Sequence, residues 1–153
     1  MKRIWMLLSL SISLAVVVSG QIPSDKNSLL NPEDIDQAAY AEKNGYPGPK
    51  HVIDLADKLQ LSEEQKGSVK RIYNEMETRA KELGQRIIDL EEELNKAFGD
   101  KLVVEKSIRN DVEQIGRLRG RLRSVYFLAH FKTRNVLNDK QVATYIKLRT
   151  PGK

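Results

Sequence analysis

The sequence predicts an all-α protein, a long antiparallel helical hairpin with short flanking helices. Three observations carry this expectation. Two long apolar stripes with helical spacing fill the C-terminal two-thirds of the chain. The connection between them is so short that the second helix must return antiparallel to the first. The composition, 31% charged against 6% aromatic residues, suits water-exposed helices rather than a compact β domain.

The chain opens with Lys2 and Arg3, then an apolar run of 15 residues from Ile4 to Val18. Val18-Ser19-Gly20 places small residues at the −3 and −1 positions of a signal-peptidase site. A membrane span needs about 20 apolar residues. Residues 1–20 therefore read as a cleaved secretory signal rather than a retained anchor, with Gln21 as the mature start. Cleavage leaves 24 basic against 21 acidic residues, a net charge of +3, and no cysteine for a lipid. The expected product is periplasmic or otherwise exported and does not span a membrane. The absence of cysteine also excludes disulfides, zinc–thiolate sites and thiol catalysis.

Residues 21–50 contain Pro23, Pro32, Pro47 and Pro49 and the turn run Asn44-Gly45-Tyr46-Pro47-Gly48-Pro49. Only Glu33 to Glu42 sustains a pattern fit for a short helix. The segment reads as a flexible N-terminal arm with little core of its own, ahead of a hairpin domain over 51–149 and a tail over 150–153.

From His51 to Gln60, Val52, Ile53, Leu55, Ala56 and Leu59 share one helical stripe, which predicts a short amphipathic helix. Ser62-Glu63-Glu64-Gln65 then forms a capping box, with acidic residues at the positive end of the dipole. Met76, Ala80, Leu83, Ile87, Leu90, Leu94 and Ala97 follow at spacings of 4, 3, 4, 3, 4 and 3, a coiled-coil seam that Val69 and Tyr73 extend. The helix is expected over Ser62 to Phe98, about 55 Å at 1.5 Å per residue, and Gly99-Asp100 ends it.

A second stripe comprises Val104, Ile108, Val112, Ile115, Leu118, Leu122, Val125, Ala129 and Val136. Asn138-Asp139-Lys140-Gln141 is another capping box and opens a last helix through Leu148. The two capped starts are expected to meet at the open end of the hairpin, where the short helices fold back. Leu137 is placed to staple onto Val142, whereas the matching position after Leu61 is Lys66. So long and thin a pair leaves part of its seam uncovered, so a second copy of the chain or a client is expected to cover it.

Leu61-Ser62-Glu63-Glu64-Gln65 and Leu137-Asn138-Asp139-Lys140-Gln141 resemble the paired Leu-Thr-x-x-Gln motifs of the Spy/CpxP-like family, with Ser62 and Asn138 at the Thr position. The segments from His51 to Leu59 and from Leu118 to Arg149 are similar to its metal-resistance branch. The resemblance implies a small exported helical protein, either an ATP-independent chaperone or a heavy-metal sensor. On their own chemistry Leu61, Ser62, Gln65, Leu137, Asn138 and Gln141 read as helix starts, and Gln65→Ala or Gln141→Ala should cost about 0.5–2 kcal/mol.

Catalytic motifs are absent: there is no Gly-x-Ser-x-Gly, no His-Glu-x-x-His and no phosphate-cradling loop, so no enzyme is expected. The paired acids of Asp89 to Glu93 read as a solvated face. No cofactor is expected, except that His51 and His130, with Glu63 and Glu64 nearby, are candidate ligands for a divalent transition metal such as Zn, Ni or Co. Leu55 and Arg134 occupy their i+4 positions, which weakens that reading. Arg117, Arg119, Arg121 and Arg123 form a basic cluster. Nucleic acid is not the expected partner outside the cytoplasm. Some of the charge is expected to pair with Glu75, Glu77 and Glu82 across the hairpin, and the rest to hold partly unfolded envelope proteins on an apolar–basic face. The resemblance implies such a face in Spy-like chaperones. Gly84 and Gly116 are expected to face each other in a close helix approach, with Gly120 one turn beyond.

Overall fold

The computed structural model describes residues 26–30 and 38–149. The expected signal segment, the mature start Gln21, the tail and the first half of the Glu33–Glu42 helix lie outside these residues. The elements are α1 (Lys26–Leu30), α2 (Ala39–Lys43), α3 (Pro49–Asp54), α4 (Glu63–Gly99), α5 (Glu105–Val136) and α6 (Asp139–Arg149). Helices α4 and α5 pack along each other as the expected hairpin. Among the described residues no helix is long and apolar enough to cross a membrane.

Ser62 caps α4 in extended geometry, its hydroxyl accepting from Gln65 N while the Gln65 side chain accepts from Ser62 N. The far end of α4 is closed by Asp100 N donating to Lys96 O and Leu102 N to Ala97 O, with Lys101 in the left-handed region at φ 57°. Helix α5 starts only after Val104, so five residues separate the rods. That longer connection shifts the register from the expected one. Arg119 pairs with Glu91 at 2.9 Å and it is Lys132 that pairs with Glu75, at 3.3 Å, in place of the expected pairing of Arg119–Arg123 with Glu75, Glu77 and Glu82.

Among the described residues two apolar clusters form the core. The central one joins Met76, Ala80, Ile87 and Ile88 of α4 to Ile115, Leu118, Leu122, Tyr126 and Ala129 of α5. The open-end cluster joins Val52, Leu59, Leu61 and Val69 to Leu137, Val142 and Tyr145. Leu137 and Val142 thus sit together as the staple requires. Near the hairpin tip the seam is bare, with Phe98, Leu102, Val104 and Val112 exposed.

Three expectations need correction. The helix predicted over His51–Gln60 stops at Asp54 and gives way to turns, with Gln60 at φ 52°. In a continuous helix Leu59 and Leu61 would point about 160° apart, and the turn lets both enter one core. The arm also contributes core, since Leu29, Ala38, Pro47 and Pro49 are buried. Finally, Gly84 does not meet Gly116: a Cβ on Gly84 would lie 2.1 Å from Leu29 O, while one on Gly116 or Gly120 would meet nothing within 4 Å.

Candidate functional site

The open end is tied by two side-chain amides. Gln65 Nε2 donates to Gln141 Oε1 at 2.9 Å and to Val136 O at 2.9 Å. Gln141 Nε2 donates to Gln65 Oε1 at 3.0 Å and to Leu59 O at 3.3 Å. Each Oε1 also accepts from the backbone N–H of its own cap residue, Ser62 or Asn138, at 3.0 Å. Every donor and acceptor of both amides is therefore used. The capping residues do cap, and their glutamines also lock the two helix starts together, which capping logic alone does not predict.

Beside this lock the arm is latched through Glu42. Helix α2 ends in a Schellman turn, Tyr46 N donating to Ala41 O and Gly45 N to Glu42 O, with Gly45 at φ 79° as that turn requires. The reversal returns Gly48 N to within 3.2 Å of Glu42 Oε1. The same oxygen accepts from His51 Nδ1 at 2.8 Å and Tyr145 Oη at 2.6 Å, and Arg149 Nη2 stands 3.5 Å from Oε2. Burial pushes the Glu42 carboxyl up, but the His51 and Tyr145 hydrogen bonds, the charge of His51 and the Gly48 amide outweigh it and hold it at about 2. Burial, together with Glu42, pushes the Tyr145 phenol well above its ordinary value. Both groups keep fixed protonation states at neutral pH, a property that suits a latch better than a proton-transfer site.

His130 completes this end. It is buried, and its Nδ1 donates to Tyr46 O at 2.8 Å. Burial pushes its pKa down. A Cβ on Gly48 would approach the His130 ring to 3.1 Å, so a side chain there would push on the ring. His51 and His130 thus reach the same turn, as a folded-back arm requires. The expected carboxylates do not join them: Glu63 is exposed and pairs with Lys66 at 2.9 Å, and Glu64 is exposed. Among the described residues no three metal-ligating side chains gather. Glu42 Oε1 is taken up by three donors, and its Oε2 faces Arg149.

The four sequence-flagged arginines divide between two faces. Arg123 lies over the rings of Tyr40 and Phe127, at 5.7 and 5.3 Å, on the arm side, and Arg119 points to the same side at 60° from Leu122 around α5 in steps of about 100°. Arg117 and Arg121 point to the other side, and Arg117 pairs with Glu113 at 3.3 Å.

That second face is open. A groove of about 680 Å³ runs between Ile72, Met76 and Arg79 on α4 and Val125, Leu128 and Lys132 on α5. It continues into a second depression of about 590 Å³ lined by Arg79, Glu82, Leu83, Gln85, Arg86 and Arg121. Glu82 is occupied by Arg79 at 3.2 Å. Arg86 and Arg121 have no carboxylate partner among the described residues. Arg79 and Arg86 were not singled out by the sequence because they stand apart from the Arg117–Arg123 run. Their i, i+7 spacing on α4 is the signal that places them on one face.

No protein-family model, curated protein or solved structure matches this chain.

Proposed function

We propose that the protein is an exported, ATP-independent chaperone or stress adaptor that holds partly unfolded envelope polypeptides on the open face of its hairpin. One observation supports the reading: an apolar-floored groove continues into a depression where Arg86 and Arg121 have no carboxylate partner among the described residues. Leu128, 57% exposed, gives the groove an apolar lip that water solvates poorly. Cations beside it attract the acidic side chains of an extended chain and speed its encounter. The resemblance of the two Leu-x-x-x-Gln starts to Spy/CpxP-like proteins supports the same reading, as does the signal-like N-terminus.

The test is aggregation of reduced α-lactalbumin with no nucleotide present. The protein should suppress light scattering at near-equimolar ratio. Arg86→Glu/Arg121→Glu should raise the concentration needed about tenfold while leaving the melting temperature unchanged, since both side chains are exposed. Absence of suppression by the unaltered protein would overturn the proposal. A second copy seated in the groove would instead show as concentration-dependent mass in sedimentation. Tight Zn²⁺ or Ni²⁺ binding lost in His130→Ala would favour a metal sensor.

A further inference from the structure

The face opposite the open groove already carries polypeptide, and the occupant is α1 of the same chain. Leu29 is 2% exposed and belongs to the central cluster with Ala80, Ile87 and Ile88. Its carbonyl lies so close to α4 that no side chain fits at Gly84. Lys26 Nζ reaches Glu92 Oε1 at 3.2 Å, so α1 runs antiparallel to α4. Glycine inside a long helix costs about 1 kcal/mol relative to alanine, and here it opens a notch through which a foreign backbone touches α4. A five-residue helix has no stability of its own, so it is held only by what it touches.

We infer that the Gly84 notch is a docking site for a leucine-bearing polypeptide segment with a cation just upstream, filled in cis by α1. The resident segment itself shows what fits: an apolar side chain in the cluster of Ile87 and Ile88, a carbonyl at Gly84 and a lysine at Glu92. The arm then competes with any partner for this face. The inference rests on the chaperone reading only in taking a polypeptide as the ligand; the face is a different one.

The test uses two substitutions that both release α1. Leu29→Ser empties the notch and leaves it intact. Gly84→Ala expels α1 and fills the notch with a methyl; α4 itself keeps its helix, because alanine is the better helix former and the three atoms nearest the new methyl all belong to Leu29. A fluorescent peptide of residues 22–34 is titrated into each by anisotropy. The peptide should bind the Leu29→Ser chain at least tenfold more tightly than the unaltered chain, and Gly84→Ala should show no gain. Lys26→Glu, which disturbs only the exposed ion pair, should give a smaller gain in the same direction. Equal affinity for the Leu29→Ser and Gly84→Ala chains, or no gain in either Leu29→Ser or Lys26→Glu, would overturn the inference. Failure of the open-groove reading would appear separately, as lost suppression of aggregation with the peptide result unchanged.

Discussion

Glu42→Gln is expected to lower the unfolding free energy near pH 7 by about 3 kcal/mol. The carboxylate accepts from His51 Nδ1, Tyr145 Oη and Gly48 N and faces Arg149. Four groups from the arm, α3 and α6 thus converge on one side chain. A glutamine keeps the shape, removes the charge and turns one acceptor into a donor aimed at donors, leaving buried groups unsatisfied. The charge also fixes the sign with pH. The folded pKa of about 2 lies below the ordinary 4.5, so the contribution is complete above 4.5 and disappears as pH falls from there towards 2. His130 acts in the same direction at higher pH. Its folded pKa lies below 6.5, so the unfolded chain takes the proton first and stability falls as pH drops below 6.5. Denaturant titrations of both chains should show a gap near pH 7 that closes as the pH approaches 2. A gap that persists at low pH would mean that Glu42 acts by packing and not by charge.

The hairpin was legible in the sequence because long elements with strict periodicity announce themselves. Ser62 and Asn138 announce their helix starts by capping chemistry, and the 37-residue α4 begins and ends within one residue of expectation. What escaped prediction depends on the arm. Its proline-rich composition signals turns but not where a turn will point. Thus Glu42 lay at the end of an unremarkable stretch, although the Asn44-Gly45 step that folds it back onto Gly48 was in plain view. The same gap explains Gly84. Opposed to another hairpin glycine by a simple register count, it meets α1 instead, because the five-residue connection moves the register and the arm claims that face. Ile88 follows: it lies outside the regular seam and is fully buried in the cluster that Leu29 and Ala38 of the arm join. The arginine run looked like one patch in sequence, but 100° per residue divides it into an arm-facing pair and an open-facing pair.

Gln141→Ala should cost about 3 kcal/mol, beyond the usual range for a helix cap. An exposed cap loses one hydrogen bond that water can replace. Gln141 is 8% exposed, and its loss takes the side-chain donor from Leu59 O, the cap bond from Asn138 N and one of the two hydrogen bonds from each polar atom of the Gln65 amide. Gln65→Ala should cost less, about 1–2 kcal/mol, because its cap partner Ser62 is exposed and water can reach that amide. The double variant discriminates between two independent caps and one lock. Independent caps would give additive losses. A reciprocal amide pair predicts that the double variant loses about 1–2 kcal/mol less than the sum, because the second deletion removes a group the first had already left short of hydrogen bonds. The readout is chemical denaturation of the four chains. Additivity within about 0.5 kcal/mol would mean that the two helix starts fold side by side without gripping each other. The coupling, where present, ties the first turn of α4 to the first turn of α6. It therefore fixes the open end from which both faces of the hairpin extend.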